Sequence, residues 1–291
     1  RQVAVDIGQC GDAHPSGALH CRASLAGWMR MSFGLIIIGD EILSGKRQDK
    51  HFGKVVDLLA QRGLQLAWAR YVGDDRARLE SCLRDTFSGE DIVFSCGGIG
   101  ATPDDHTRQA AAAALGVPLA LHPRAAALIA ERTAEMAREG RGSADMSTPE
   151  NRQRLKMGEF PAGSEIIPNP YNRIPGFRVR DHFFVPGFPV MAWPMIEAVL
   201  DREFAHLHQL GARGERSLRI FEVPESAVTP LMEAVEARYP AVRTFSLPSV
   251  GEGGERRHIE LGVKGPVAQL DDAWAMLLEG ARALGGELRL D

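Results

Sequence analysis

The chain has 291 residues, 44% hydrophobic and 25% charged, a balance that suits a soluble globular protein with a sizeable core. Its formal net charge is −4 and it carries no dense basic run, which argues against a nucleic-acid binder. No apolar stretch approaches the roughly 18 residues that a membrane span needs. The four cysteines, Cys10, Cys21, Cys82 and Cys96, form no CxxC pair and show no metal-ligand spacing with histidines, so a reducing, cytoplasmic setting is expected.

The length favours two domains. Residues 1–31 mix Gly, Ala, His and Cys without a period and lack the apolar core of a secretory signal. They read as a leader: an extension or a disordered tail. Phe33 to Ile38 is a nearly continuous apolar run, the pattern of a parallel strand buried on both faces. It ends in the loop Gly39-Asp40-Glu41-Ile42-Leu43-Ser44-Gly45. Asp49 is placed to cap the next helix, in which Phe52, Val55, Val56 and Leu59 recur at helical spacing and which Gly63 stops. Leu64 to Val72 reads as a second strand, followed by Gly73-Asp74-Asp75. Leu79, Cys82 and Leu83 mark the buried face of a second helix, which puts Cys82 in a core.

A third strand, Asp91 to Ser95, leads into Cys96-Gly97-Gly98-Ile99-Gly100-Ala101-Thr102-Pro103-Asp104-Asp105-His106-Thr107 and an alanine-rich helix. Strands alternating with helices imply a parallel sheet covered on both faces. Right-handed crossovers then bring the three loops to one sheet edge. Short strands are predicted at Pro118 to Leu121 and Glu165 to Ile167, and a helix at Arg124 to Glu139. Arg141 to Glu150 reads as a polar, mobile connection, and Arg152 to Met157 is ambiguous. A hairpin around Asp181 and a helix from Val190 to Leu207 complete a domain over 32–210.

From 215 to 291 the order changes to β-α-β-β-α-β, the ferredoxin-like arrangement. The boundary falls near Gly211-Ala212-Arg213-Gly214. The predicted fold is therefore a three-layer α/β/α domain with a mostly parallel sheet, then a smaller α+β domain.

Gly97, Gly98 and Gly100 let the backbone approach a ligand, and the helix start that follows favours anions. Asp104 and Asp105 complicate a purely anionic site: they either cap the helix or hold a divalent cation that bridges to phosphate. Thr102 and Thr107 bond phosphate or cap the helix start. Lys156 is the nearest base for a phosphate, although a solvated lysine is the plainer reading; Cys96 reads as packing, and His106 and His122 as neither ligands nor bases.

Residues Gly97 to Thr107 resemble the GGxGxTxDDxT signature of the molybdopterin-binding domain. Within that superfamily the competence/damage-inducible CinA branch is the closer match. Gly39 to Gly45 resembles its first motif and Tyr71 to Asp75 its second. Pro168-Asn169-Pro170 with Pro175-Gly176-Phe177, and Val185 to Pro189, resemble its PNP…APGF and PGVP segments. The likeness runs from about Phe33 to Pro189, and more loosely beyond. Tyr171 to Ile174 replace the small residues usual before the PGF, and Phe188 and Val190 depart from the usual residues around the PGVP turn. The resemblance does not extend to a nicotinamide-nucleotide amidase domain, so that activity is not carried over.

The resemblance implies a molybdopterin-binding-like fold, a small phosphate-bearing ligand (a dinucleotide or a pterin) and a homo-oligomer. For the CinA branch it implies metal-dependent hydrolysis of ADP-ribose-type pyrophosphates, with Mg²⁺, Mn²⁺ or Co²⁺. For the cofactor-synthesis branch it implies binding of molybdopterin as a ligand, or its adenylylation. Carried over residue by residue, Asp105 and Asp75 are the catalytic candidates, and Asp104, Asp105 and Asp74 the metal ligands. Gly39, Asp40, Glu41, Gly45, Gly97, Gly98, Gly100, Thr102, Thr107 and Asn169 are the ligand-binding candidates.

Overall fold

The computed structural model describes residues 32–208, 213–251 and 256–290. The leader expected over 1–31, with Cys10 and Cys21, lies outside them, as do Gly211 and Ala212 of the expected linker. The first described part runs β1 (Phe33–Ile38), α1 (Asp40–Leu43), α2 (His51–Ala60), β2 (Leu66–Val72), α3 (Arg76–Phe87), β3 (Ile92–Cys96), α4 (Thr107–Leu115), β4 (Leu119–Leu121), α5 (Pro123–Arg138), α6 (Pro149–Leu155), β5 (Glu159–Pro161), β6 (Glu165–Ile167), β7 (Gly176–Val179), β8 (His182–Val185) and α7 (Pro189–Glu203). A further part follows with β9 (Arg213–Phe221), α8 (Glu225–Arg238), β10 (Arg243–Ser249), β11 (His258–Pro266), α9 (Val267–Ala283) and β12 (Leu288–Leu290).

Six strands form a sheet in the order β2-β1-β3-β8-β7-β6. The pairs β1/β2, β1/β3 and β3/β8 are parallel, and the edge pairs β7/β8 and β6/β7 antiparallel. The apolar runs of β1 and β3 are buried at every position, because helices cover both faces. One face packs Ile36, Val93, Phe177 and Phe184 against Leu79 and Leu83 of α3, Ala110 and Ala111 of α4, and Ala125 of α5. On alternate strand positions Phe33, Phe94 and Phe183 meet one another and Phe204, just past α7. The order matters for function. β1 connects outward to β2, and the chain then returns to β3 on β1's other side. The crevice between the carboxyl ends of β1 and β3 is therefore a topological switch point, where ligands of open α/β sheets bind.

The four-stranded sheet has the order β10-β11-β9-β12, with each neighbouring pair antiparallel. This is the predicted ferredoxin-like arrangement. Leu218, Ile220, Leu261 and Val263 pack there against Val228 and Val235 of α8 and Leu270 and Leu277 of α9. α8 begins at Glu225 and holds Pro230 inside it.

Several expectations need correction. In α2 the inward stripe is His51, Val55, Leu58 and Leu59, while Phe52 and Val56 face solvent. The apolar periodicity is one residue out of phase because a histidine, not Phe52, opens the buried face. Cys82 packs against the core but is only half-buried, and Arg70 donates to its sulfur at 3.9 Å. The connection over 141–150 is tied down: buried Asn151 donates to the carbonyls of Ser143 and Asp145, both at 2.8 Å, and Thr148 caps α6. The segment is mostly exposed, but its turn satisfies its own carbonyls. β5, absent from the sequence reading, pairs antiparallel with β4.

Phe177 is the keystone of the first core, stacked on Phe160 at 4.8 Å and on Phe184 at 4.3 Å between ring centroids. Truncation leaves a cavity that rigid strand neighbours cannot refill. Phe177→Ala is expected to lower unfolding free energy by about 3–5 kcal/mol, read by urea denaturation.

Candidate functional site

The loops after β1, β2 and β3 converge on a cavity of about 380 Å³ at the switch point. Gly39 and Glu41 come from the first loop, Asp74 from the second, and Gly97 to Thr102, Asp104 and Asp105 from the third. Asn169, Asn172, Ile174 and Pro175 form another wall, and Pro186, Gly187, Phe188 and Met191 a further one. The motifs that are far apart in sequence thus meet through the crossovers.

The glycine turn requires glycine for two separate reasons. Gly97 has φ 112°, and a Cβ there would lie 2.5 Å from the Ile38 carbonyl oxygen. Gly98 has φ 66°, and a Cβ there would strike the Thr107 hydroxyl. The turn is then stapled by Asp105, whose carboxylate accepts from the Gly100 amide at 2.9 Å, the Thr102 amide at 2.8 Å and the Thr102 hydroxyl at 2.5 Å. Asp105 lines the cavity, but its oxygens are committed to the loop. It shapes the site rather than standing free beside a ligand, and it does not cap α4.

Thr107 is fully buried, and its hydroxyl donates to the Gly97 carbonyl at 3.1 Å. The expectation that it contacts phosphate is corrected: its hydroxyl is used inside the fold. Thr102 does line the cavity. Asp75 does not: it is exposed and caps α3, accepting from the Arg78 amide at 2.8 Å. That position answers the helix-cap reading and gives no facing catalytic acid. Gly45 also stays off the cavity wall; it turns the chain at φ 73° after α1.

Asp40 and Asp74 bind each other's loops. The Asp40 amide donates to Asp74 at 2.8 Å, and the Asp74 amide to Asp40 at 3.2 Å. Only Asp74 of the two faces the cavity. Partial desolvation, together with the charges of Asp40, Glu41 and Asp104, holds the Asp74 carboxyl above its ordinary range, against the pull of the Asp40 amide. Asn169 lines the cavity, yet its side chain donates to Asn172 at 2.9 Å and to the Ile174 carbonyl at 3.0 Å, and accepts from the Tyr171 amide at 3.0 Å. It sets the shape of that wall.

Two basic residues emerge that sequence reasoning missed. Arg47 lines the cavity and lies 3.9 Å from Glu41. Its place in the first loop, six residues past Glu41, was the available signal. Arg108 is buried behind the glycine turn, where it donates to the carbonyls of Gly100 and Lys156. Burial pulls its guanidinium below the usual value, against the nearby charges of Asp105 and Glu159. Its sequence position at a helix start gave no hint of burial. Lys156 thus serves through its backbone, and its side chain is absent from the cavity wall. Cys96 is buried, and desolvation raises its thiol, in keeping with packing. His122 caps α5, accepting from the Ala125 amide at 3.4 Å.

The donor set decides what kind of cation would fit. Among the described residues no three His, Cys, Asp or Glu side chains form a group arranged to hold a metal ion. Asp74, Glu41 and Asp104 nonetheless place hard oxygen donors on one cavity. That suits an ion of the Mg²⁺ type, which takes one or two carboxylates and completes its shell with water and phosphate.

Two outcomes follow. Asp105→Ala leaves the two loop amides without their acceptor and is expected to cost roughly 1–3 kcal/mol in a denaturation midpoint, with Asp105→Asn costing less. Asp74 works in the opposite sense. A carboxyl with a raised folded-state pKa penalises the fold once ionised, and the penalty vanishes below the unfolded value of about 3.9. Asp74→Asn should therefore raise the melting temperature at pH 7–8, with the gain fading as pH falls toward about 4 and absent below it. A melting temperature unchanged or lowered at pH 7–8 would show that desolvation and like charge do not burden the Asp74 carboxylate.

A family model described as "Probable molybdopterin binding domain" matches residues 34–206. A "CinA-like protein" of Anaeromyxobacter sp. (strain Fw109-5) is 33% identical over 256 residues, covering 81% of this chain and 60% of that protein. A "CinA-like protein" of Koribacter versatilis (strain Ellin345) is 29% identical over 262 residues, covering 87% of this chain and 59% of its own length. The chain thus spans about 60% of the curated relatives it matches. A crystal structure of CinA, "with unknown function", from Thermoplasma acidophilum is 27% identical, covers 58% of this chain and 97% of its own, and superposes with a TM-score of 0.49. With the signature loop at the switch point and the matched span covering both motif-bearing walls, the chain belongs to the molybdopterin-binding domain family and is similar to its CinA-like members.

Proposed function

We propose that the protein is a metal-dependent nucleotide pyrophosphatase that hydrolyses ADP-ribose or a similar dinucleotide. One observation carries the reading: the cavity sets the carboxylates of Glu41, Asp74 and Asp104 beside a glycine turn that allows close backbone approach. A binder of a single phosphate has no need of three acids there. A divalent cation, when bound, would offset charge on the diphosphate oxygens. Asp74 and Glu41 are the side chains that would hold it, and Asp104 the nearest alternative. A cation would offset the desolvation and the like-charge crowding that disfavour the Asp74 carboxylate. Arg47 faces the same space and would neutralise phosphate directly. Asp105 and Arg108 keep the turn in shape.

A second reading has support of its own. The family is named for molybdopterin binding, and the described residues hold no three-ligand metal group. A non-catalytic pterin- or nucleotide-binding module, or a molybdopterin adenylyltransferase, would use the same glycine turn. The proposal places the protein in the cytoplasm as a homo-oligomer. Val190, more than half exposed and off the cavity wall, is a side chain an oligomer would cover. Among the described residues no helix is long and apolar enough to cross a membrane, and nucleic acid has no part in the reading.

The deciding measurement incubates the purified protein with Mg²⁺, Mn²⁺ or Co²⁺ and a panel of nucleoside diphosphate compounds. Wild type is expected to convert ADP-ribose and water into AMP and ribose 5-phosphate. Asp74→Asn should remain folded yet lose roughly 10²-fold or more in turnover. A panel left intact overturns hydrolysis. Tight pterin binding without turnover supports the binding module, and ATP consumption linked to a pterin acceptor supports adenylyl transfer.

A further inference from the structure

Three carbonyls of the glycine turn are occupied from the side of α4. The Thr107 hydroxyl donates to the Gly97 carbonyl at 3.1 Å, and the Thr107 amide to the Gly98 carbonyl at 3.0 Å. The Arg108 guanidinium donates to the Gly100 carbonyl at 2.6 Å. In a trans peptide the N–H points opposite to the C=O. The amides of Gly98, Ile99 and Ala101 therefore point away from the start of α4, and all three residues line the cavity. Among the described residues these amides have no acceptor, whereas those of Gly100 and Thr102 are tied to Asp105. Arg108 is about 3% exposed, donates to the carbonyls of Gly100 and Lys156, and leaves its Nε without a partner. Among the described residues no carboxylate forms an ion pair with it, and Asp105 and Glu159 act on it only through space. A buried guanidinium held by carbonyls alone keeps an uncompensated charge, which burdens the fold.

We propose that Arg108 is a positioning residue for a phosphoryl oxygen: its buried charge, set on the Gly100 carbonyl, makes the Ala101 N–H of the same peptide the strongest anion donor of the turn. The inference rests on the phosphate-bearing ligand of the reading above and gives Arg108 a role beyond shaping the loop. A cation on a carbonyl oxygen polarises the whole peptide group and strengthens its N–H as a donor. A phosphoryl oxygen at Ala101 thus meets a charge-assisted hydrogen bond although the guanidinium does not touch it. The need is local. Asp105 occupies the amides on either side of Ala101, and its negative charge repels an anion placed between them. Arg108 sits on the intervening peptide and offsets that charge. Gly98 and Ile99, whose peptide carbonyls accept from Thr107, add ordinary neutral donors.

The test measures, by calorimetry with Mg²⁺, the binding of the methylene analogue of ADP, which resists hydrolysis, and of adenosine, which has no phosphate. Wild type, Arg108→Lys, Arg108→Gln and Ala101→Pro are compared, each checked for folding by its melting curve. Wild type is expected to bind the nucleotide analogue roughly tenfold tighter than adenosine or better. Arg108→Gln can still donate to a carbonyl but is neutral, and should weaken the analogue about tenfold while leaving adenosine unchanged. Arg108→Lys keeps the charge and should stay within about threefold of wild type. Ala101→Pro deletes the N–H and should weaken the analogue at least as much as Arg108→Gln. Where a variant fails to fold, the wild-type Ala101 amide proton decides: its NMR resonance should move downfield when the analogue binds. Equal weakening by Lys and Gln, equal loss of adenosine, no binding of the analogue by wild type, or an unmoved Ala101 resonance overturns the inference. Product formation from ADP-ribose is followed separately. No product with the Lys–Gln contrast intact sinks the hydrolytic reading and leaves the role of Arg108 standing.

Discussion

Asp105 is the interaction on which the site depends. A glycine turn has many conformations available, and ordering it costs backbone entropy. One carboxylate that gathers the Gly100 and Thr102 amides and the Thr102 hydroxyl selects a single conformation. Arg108 backs the same turn from inside, through the Gly100 carbonyl, and links it to the segment after α6 through the carbonyl of Lys156. Gln153 adds a further tie, donating to the Ala101 carbonyl at 2.5 Å. Opposite charges thus hold the loop from two sides.

That division of labour explains why the acids are not equivalent. Asp105 and Asp75 are spent on backbone amides, one in the turn and one at the start of α3. Asp40 is spent on the Asp74 loop. Asp74, Glu41 and Asp104 face the cavity, and Asp74 is the one whose surroundings disfavour its charge. A carboxylate kept at an energetic disadvantage is a recurring mark of functional sites, because a cation or a proton relieves it. The stability that such a residue costs is small beside the burial of β1 and β3, so the fold tolerates it.

The sequence made the scaffold legible because its signals are local. Continuous apolar runs identified β1 and β3, and loop glycines and acids marked their carboxyl ends. The βαββαβ order identified the second sheet, whose strand order followed. The errors arose where a long-range contact overrode a local pattern. Phe52 and Val56 fit a helical stripe but face solvent because His51 turns inward to the Gly187 carbonyl.

By itself the sequence determined the residue types of the site and their order: glycines where the backbone must turn or approach closely, and acids just past strand ends. It could not apportion their roles, because a carboxylate that caps, one that staples a loop and one that faces a ligand are the same letter. Tertiary structure decided that, by fixing which amides lie within hydrogen-bond reach of each acid. It also brought Arg47 and Phe188, 141 positions apart in the chain, to a common wall. Crossover topology sets such neighbours, and no local pattern encodes the distance between loops that only a folded sheet brings together.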